Sequence, residues 1–316
     1  MEQTGRLPSG IRTGSGWANG TFGELLQGVL AENDMDFLVT LPIAQGAAAT
    51  FQPVPGSQEV NVHPPHKVKA ALVAGLIITA LGLPCGGYLR LENELAEGKG
   101  FASSSADLVA TVQAVGDAFG VDFKESEIED FLRQVEPSDG VMYCGVVAFY
   151  HRAVRLRERL GFLPDLVIVA HDEGGEVDTI LFNRMFKPFS QRDKAEYSRL
   201  LAELAEAVPA GDLAAIGRVA TRSARLNEIL RPRAHLESIQ QISRDVDGLG
   251  VVAAHSGTVL GILIDAADPR CEEKIVQASR SLRALPGSVS VHRTAAARRA
   301  VPALVGPAED RGSQSP

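Results

Sequence analysis

A run of small residues that leads into an amphipathic helix is the feature that most restricts how this sequence can fold. Residues 97–107 read EGKGFASSSAD, and apolar residues recur at helical spacing from Leu108 to Phe119. Small residues let the backbone approach a ligand, and a helix N-terminus offers unpaired N–H groups and partial positive charge. The segment therefore predicts a loop that binds a phosphate chain and its magnesium, with a serine N-cap after a glycine loop as the alternative. It is not a Walker loop, because the GxxxxGK[ST] pattern is absent.

The chain is long enough for two domains. It has 316 residues, of which 45% are hydrophobic and 22% charged, as is typical of a folded globular protein. Single hydrophobic cores usually stop growing in chains of roughly 250–300 residues, so we expect two domains. The sequence predicts disordered tails at residues 1–16 and 295–316, an N-terminal domain at 17–163 and a C-terminal domain at 164–294.

Periodicity and turn residues predict an α+β architecture. The first half begins with strand-like segments and continues with helices at 67–81, from about 106 and at 126–135. The second half follows the order β-ααα-ββ-α-β, which is typical of an antiparallel sheet covered by helices on one face. The predicted strands are 37–41, 47–51, 166–170, 251–254, 259–265 and 289–292, and the predicted helices of the second half are 190–207, 211–230, 234–246 and 272–282.

Charge and hydropathy exclude several classes of partner. The formal net charge of −8 argues against nucleic acid, because such binding needs a basic face. The longest apolar run, residues 70–83, is shorter than the roughly 20 residues of a membrane span, so we expect no membrane partner. Three cysteines without a CxxC pair, and an N-terminus without the order of a signal peptide, predict a reducing cytoplasmic location.

Three motifs in a fixed order carry a resemblance to a known family. They are GTFGELLQG at residues 20–28, the loop at 97–107 and AAHSGTVLG at 253–261. Together they resemble the GHMP kinases. The resemblance implies a two-domain GHMP kinase fold, with a ribosomal S5 domain 2-like N-terminal domain and a ferredoxin-like C-terminal domain. It also implies ATP and Mg²⁺ as cofactors, and the nucleotide-binding residues would be Lys99, Gly100, Phe101, Ala102, Ser103, Ser104 and Ser105.

A wider set of segments resembles the L-threonine kinase branch of that family. These segments are GELLQG, KGFASSSAD, EPSDG, AHSGT and the run GGEVDTILFNR at residues 174–184. In that branch ATP phosphorylates the side-chain hydroxyl of L-threonine, which supplies the aminopropanol linker of cobalamin. The resemblance thus implies a small-molecule kinase acting on an amino acid, and a homodimer is compatible with it. A kinase for homoserine or another hydroxy amino acid of secondary metabolism remains an alternative.

Phosphoryl transfer needs a group that orients or deprotonates the attacking hydroxyl, and a metal. Asp139, in the EPSDG segment, matches the place where many GHMP kinases carry a catalytic aspartate; a surface turn is the alternative. The family binds magnesium through a loop hydroxyl and a helix carboxylate. Ser104 or Ser105 would supply the hydroxyl, and counting back from the EPSDG proline suggests Asp130 or its neighbour Glu129 for the carboxylate.

Substrate residues are expected on three segments. Glu24 and Gln27 lie in the first motif, where Glu24 could pair with a substrate ammonium group. The remaining candidates are Asp178, Thr179 and Asn183 in the 174–184 run and Ser256, Gly257 and Thr258 in the last motif. A catalytically silent GHMP-fold sensor of a nucleotide or metabolite, and an unrelated two-domain binding protein, are the alternatives from other functional classes.

Overall fold

The structure is a computed structural model that describes residues 12–175 and 187–295. Its first half contains a long antiparallel hairpin whose second strand also pairs with two later strands. In chain order the elements are β1 (Gly14–Val29), β2 (Asp36–Pro55), β3 (Val60–His63), α1 (Val68–Ala80), β4 (Cys85–Asn93), α2 (Ser103–Phe119), α3 (Glu125–Arg133), β5 (Val146–Tyr150) and β6 (Arg155–Gly161). β2 pairs with β1, β4 and β5, all antiparallel, and β3 adds a parallel strand beside β4.

Small residues allow α2 to lie directly on β1. A side chain at Gly14 or Gly16 would overlap the α2 backbone at Ala118, Ala114 or Ala110. The same face of α2 carries alanines, so two backbones approach closely and the helix axis is fixed against the sheet. The N-terminus of α2 is thereby held beside the middle of β1.

The second half is an antiparallel four-stranded sheet with the order β10-β7-β9-β8. Alternate residues of β7 point to opposite faces: Val167 and Val169 join a core with α6 and α7, whereas Ile168 and Ala170 join the core of the first half. The elements are β7 (Leu166–Asp172), α4 (Gln191–Ala210), α5 (Leu213–Leu226), a 3₁₀ turn (Asn227–Ile229), α6 (Leu236–Asp245), β8 (Gly250–Ala253), β9 (Val259–Asp265), α7 (Cys271–Leu282) and β10 (Ser288–Arg293).

The two halves meet where β1 approaches β8. Glu24 of β1 is the register partner of Ala253 of β8. Gly23 has a positive φ of 52°, and a side chain there would meet the backbone of Ala253 and Ala254. The first and last sequence motifs are therefore adjacent in the fold.

The α+β fold class predicted from the sequence is confirmed, with elements of the second half within a few residues of their predicted bounds. Two details differ. The strand-like segments at 37–41 and 47–51 are parts of one strand, β2, and residues 14–16 belong to β1 instead of a tail, because their glycines pack against α2. The division into two domains near residue 163 remains a prediction.

None of the helices within residues 12–175 and 187–295 has the length and hydrophobicity that crossing a membrane requires.

Candidate active site

The loop before α2 has the backbone geometry of an anion-binding site. Gly98, Gly100 and Ala102 have positive φ angles of 69°, 95° and 56°. Ala102 is the N-cap of α2 and its side chain forms no capping hydrogen bond. The N–H groups of the first turn, beginning with Ser103, have no partner within the helix, and the helix dipole adds positive potential there. A phosphate chain fits this combination of small residues and free N–H groups.

Backbone hydrogen bonds fix the loop to both halves of the molecule. The N–H groups of Thr21 and Gly23 donate to the carbonyl oxygens of Phe101 (3.1 Å) and Gly100 (3.0 Å). From the other side, the N–H of Thr258 donates to the carbonyl of Lys99 at 3.2 Å. All three sequence motifs therefore converge on one loop.

Asp139 lies against the first turn of α2. Its N–H donates to the hydroxyl oxygen of Ser105 at 3.0 Å. Desolvation of the carboxyl group and the nearby charge of Glu136 raise the pKa of Asp139 to about 6, although a hydrogen bond from Ser105 opposes the shift. At neutral pH this carboxylate is ionised and more basic than an exposed aspartate.

A different carboxylate from the predicted ones lies beside the loop serines. Glu136 accepts a hydrogen bond from the hydroxyl of Ser104 and forms an ion pair with Lys69. Ser104 is exposed, whereas Ser105 is buried with its oxygen used by Asp139. Hard oxygen donors of this type suit Mg²⁺.

Neither helix carboxylate predicted for the metal contacts these serines among the described residues. Glu129 is buried and accepts hydrogen bonds from the Tyr143 hydroxyl and the Leu156 N–H, both at 2.7 Å. Asp130 points to solvent and pairs with Arg133. The helix α3 directs these two side chains toward β6 and solvent, whereas Glu136 lies beside Ser104. The metal ligands predicted from the sequence stay a prediction.

Glu24 is a buried carboxylate in the junction between the halves. It is 5% exposed, and its Oε2 has no hydrogen-bond partner among the described residues. Burial, and then the charge of Asp139, raise the pKa of Glu24 well above its usual range, against the opposing effects of a His255 backbone hydrogen bond and the charges of Arg233 and Lys187. A cationic ligand group would satisfy the unpartnered oxygen and stabilise the ionised form.

Basic groups surround the same junction. The Lys187 ammonium lies 2.7 Å from the Asp36 carboxylate and 3.3 Å from Nε2 of His255. Arg152 also pairs with Asp36, at 3.2 Å, so two cations share one carboxylate. His151, 2% exposed, stacks edge-on against His255 with ring centroids 4.8 Å apart. The junction thus places two cations and their shared carboxylate, Asp36, near the acidic pair of Glu24 and Asp139.

The other predicted substrate residues fall into two groups. Gln27 is buried, and its amide nitrogen donates to the carbonyl of Ala253 at 3.4 Å, so it joins β1 to β8. Ser256, Gly257 and Thr258 form the turn behind the phosphate loop, and the Thr258 hydroxyl is hydrogen-bonded to Asp172. Asp178, Thr179 and Asn183 lie outside the described residues.

Ion pairs fix Lys99 and Asp107, which lie near the two ends of the 97–107 segment. Lys99 forms an ion pair with Asp172 at 2.8 Å and donates to the carbonyl of Gly175 at 2.7 Å. Asp107, in the first half of α2, is buried against Lys67 at 2.6 Å and accepts a 2.8 Å hydrogen bond from Asn93. These contacts stiffen both sides of the loop.

Sequence reasoning missed four charged groups of the candidate site and one buried imidazole: Glu136, Asp36, Lys187, Arg233 and His151. Glu136 begins the EPSDG segment that was already assigned to catalysis, and the loss of apolar character after β5 marks His151. The other three come from segments with no distinguishing pattern, and only the fold brings them together.

The left-handed N-cap allows a stability test. Replacing Ala102 by glycine should raise the free energy of unfolding by about 0.5–1 kcal/mol, because alanine pays roughly 1–2 kcal/mol in this conformation and glycine only part of that in chain entropy. Urea unfolding measures the change. The matched control is Ala202→Gly on the exposed face of α4, which should lose about 1 kcal/mol. A loss at both positions would contradict the assigned backbone conformation.

Comparison with known proteins shows what part of this chain resembles. Residues 66–151 match the family model of the GHMP kinases N terminal domain. The L-threonine kinase of Citrobacter freundii is 26% identical over 168 residues, which cover 53% of this chain and 58% of that relative. The chain thus matches less than two thirds of the length of this curated relative.

Solved structures share the fold over nearly the whole chain. A homoserine kinase from Cytophaga hutchinsonii superposes with a TM-score of 0.70 at 16% identity, covering 92% of this chain and 96% of the other. A mevalonate kinase superposes with a TM-score of 0.67 at 15% identity, covering 90% and 98%. Residues 66–151 are therefore similar to a GHMP kinase N-terminal domain, and the chain has the fold of the GHMP kinases, as its three motifs predict.

Proposed function

We propose that the protein is an ATP-dependent kinase that phosphorylates the side-chain hydroxyl of a small amino acid, with L-threonine as substrate and L-threonine O-3-phosphate as product. The observation that carries the proposal is the hydrogen bond between Asp139 and Ser105, which puts a basic carboxylate at the mouth of an anion-binding loop. Similarity to curated L-threonine kinases supports the choice of acceptor.

The loop at 98–105 would bind the polyphosphate through backbone N–H groups and the α2 dipole. Positioning and charge neutralisation dominate phosphoryl transfer, so the rigid attachment of the loop to β1 and to the 254–258 turn is what the reaction requires. No covalent enzyme intermediate is needed.

Magnesium fits the residues at the loop. The Ser104 hydroxyl and the Glu136 carboxylate are already in contact, and both are hard oxygen donors. When bound there, the ion would supply positive charge that neutralises the phosphate groups. Among the described residues no group of three or more His, Cys, Asp and Glu side chains forms a metal site.

The junction between the halves suits an amino-acid zwitterion. Glu24, with its unpartnered Oε2, would accept hydrogen bonds from the ammonium group. Lys187 and Arg152, which share Asp36, would face the carboxylate. The side-chain hydroxyl would then lie near Asp139, whose charge already acts on Glu24 and whose pKa near 6 suits an orienting base.

The location and pathway follow from the same resemblance. Cys85, Cys144 and Cys271 are free thiols, which fits the reducing cytoplasm expected from the sequence. Production of threonine phosphate for the cobalamin linker is part of this proposal, and the homodimer stays a prediction.

A coupled ADP-release assay over a panel of hydroxy amino acids tests the function. We expect the highest kcat/KM with L-threonine, and a loss of about tenfold or more for 3-hydroxybutyrate, which lacks the ammonium group that Glu24 would bind. Omitting Mg²⁺ should abolish turnover. Turnover with L-homoserine but not L-threonine would favour the alternative of a homoserine kinase. A solved homoserine kinase shares this fold. No ADP release with any acceptor would favour the sensor.

A further inference from the structure

A separate open cavity of about 290 Å³ lies on the second half of the molecule, between α5, α6 and the start of β8. Its residues come from one face of each helix and from the loop before β8. They are Arg218, Thr221, Arg222, Arg225, Gln240, Ser243, Arg244, Gly248, Leu249, Gly250 and Val251. None of them belongs to the phosphate loop or to the charged groups at the junction.

The cavity is lined by four arginines, and no acidic residue is among its described lining residues. Two of the arginines are neutralised from outside the cavity. Arg222 forms a two-point ion pair with Glu196 at 2.6 and 2.8 Å, and Arg218 lies 3.5 Å from Glu203. These two therefore add hydrogen-bond donors but little net charge.

The other two arginines are bound by neutral amides. Arg225 donates from Nε and Nη2 to Oε1 of Gln240, the Nε bond being 2.9 Å long, and Arg244 donates to Oε1 of Gln241 at 3.2 and 2.5 Å. Their positive charges have no carboxylate partner among the described residues. Each guanidinium also keeps N–H groups beyond those used here.

Gln240 provides a second, independent indication of a ligand. It is 4% exposed, and its amide nitrogen has no hydrogen-bond partner among the described residues. Because Arg225 occupies the amide oxygen, the orientation of the amide is fixed and its N–H₂ group remains unsatisfied. A buried donor of this kind beside two uncompensated cations calls for an anionic acceptor.

We propose that this cavity is a second binding site, which takes a small metabolite through a carboxylate or phosphate group held by Arg225 and Arg244. Guanidinium groups match such oxyanions in pairs of hydrogen bonds. The volume lies at the lower end of the roughly 300–1,000 Å³ of ligand pockets, so the ligand is no larger than a small metabolite.

The cavity is connected to the amino-acid end of the active site by two rigid elements. β8 begins at the cavity with Gly250 and Val251 and continues to Ala253, the register partner of Glu24. α5 leaves the cavity at Arg225 and ends in groups that hold the backbone of Gln27: the Ser223 hydroxyl accepts its N–H at 3.2 Å, and the Asn227 amide donates to its carbonyl at 2.9 Å.

The two elements, α5 and β8, are also packed directly against each other. A side chain at Gly217 would overlap the backbone of Leu249, and one at Gly250 would overlap the backbone of Gly217, so α5 lies in backbone contact with the β8 entry. The Thr221 hydroxyl accepts the N–H of Val251 at 2.8 Å. A ligand that joins α5 to α6 therefore restrains β1, the strand that carries Glu24, because the end of α5 is hydrogen-bonded to Gln27 of β1. The site is thus regulatory.

Calorimetric titration of the full chain with inorganic phosphate and, separately, with succinate tests the site. We expect millimolar or tighter binding of at least one probe, and the probe that binds identifies the anionic group. The double variant Arg225→Gln/Arg244→Gln should weaken this binding about tenfold or more, because charge-assisted hydrogen bonds are lost. The control Arg199→Gln removes an exposed arginine of α4 outside the cavity and should leave it unchanged.

Unchanged phosphate binding in the double variant would overturn the proposal, since the anion would then be held by the phosphate loop or elsewhere. Absence of binding for both probes would also overturn it.

Hydrogen exchange tests the connection between the cavity and the active site. The bound probe should slow exchange of the amides at residues 23–28 in the wild type and not in the double variant. Unchanged exchange there would refute the regulatory role. Neither measurement depends on the proposed kinase activity. A failure of the second binding site is therefore distinguishable from a failure of the proposed function.

Discussion

Replacing Asp139 by asparagine should lower kcat for phosphoryl transfer by about 10²–10⁴, while nucleotide affinity stays within a few-fold of wild type. Asparagine keeps the backbone N–H that donates to Ser105 and nearly the same volume, so the loop keeps its position. It loses the carboxylate that would orient or deprotonate the acceptor hydroxyl. Single-turnover kinetics and calorimetric titration with a non-hydrolysable ATP analogue measure the two quantities.

The pH dependence supplies a matched readout. Because burial and Glu136 raise the pKa of Asp139 to about 6, the basic form is lost as the pH falls through that value, and the wild-type kcat should fall with it. The residual rate of the Asp139→Asn variant should lack this step. A wild-type rate that stays constant from pH 8 to well below 6 would contradict a role for this carboxylate.

The same shift determines the sign of the effect on stability. The pKa of Asp139 is higher in the folded protein than in the unfolded chain, so its protonated form stabilises the fold below the ordinary aspartate pKa of 3.8, and this contribution is lost as the pH rises through about 6. At pH 8 the asparagine variant should therefore be more stable than wild type, by about 1–3 kcal/mol. A variant that loses activity and gains stability is correctly folded, which separates a catalytic role from a structural one.

Local sequence patterns were sufficient to predict that a loop of small residues precedes an amphipathic helix and that Asp139 lies near this loop. The EPSDG segment lies a short distance beyond α3. The same local reasoning did not indicate which carboxylate lies beside the loop serines. Spacing along α3 suggested Glu129 and Asp130, yet the helix turns Glu129 toward Tyr143, whereas Glu136 beyond the helix end reaches Ser104.

The charged groups at the junction between the halves could not be assembled from the sequence, because the junction depends on contacts between distant segments. Glu24 is on β1, Asp36 on β2, Lys187 on the segment before α4 and Arg233 on the segment after α5. Glu24 belongs to the first sequence motif, but the other three positions have no distinctive pattern. Their charges act on one another only after β1 and β8 have come together.

Burial shifts the pKa values of the basic side chains at this junction. Lys187 lies among buried groups, and desolvation lowers its pKa, although the nearby Asp36 carboxylate opposes this change. Burial likewise lowers the pKa of His151 and of His255 well below the usual range, so both rings are neutral near pH 7. The junction thus combines two cations that share the Asp36 carboxylate with two neutral imidazoles.

Replacing Gly257 by alanine should reduce kcat/KM for ATP by about 100-fold, because an added methyl group would displace the phosphate loop. A Cβ at position 257 would overlap the carbonyl of Lys99 and approach the N–H of Gly100, both of them backbone groups of the loop. The two backbones are hydrogen-bonded to each other through Thr258, so neither can move alone. Titration with the ATP analogue should show the loss as weaker binding, and steady-state kinetics as a higher KM.

Two control variants distinguish a steric effect of the added methyl group at position 257 from other effects of substitution. Gly75→Ala adds the same methyl group to α1 in open space, and it should raise stability by about 0.5–1 kcal/mol without changing ATP affinity. Ser256→Ala changes the neighbouring side chain and leaves the close backbone contact intact, so the loop should keep its position. Normal ATP binding by Gly257→Ala would mean that the turn and the loop are not in contact in solution, and the attachment of the loop to the second half of the molecule would have to be abandoned.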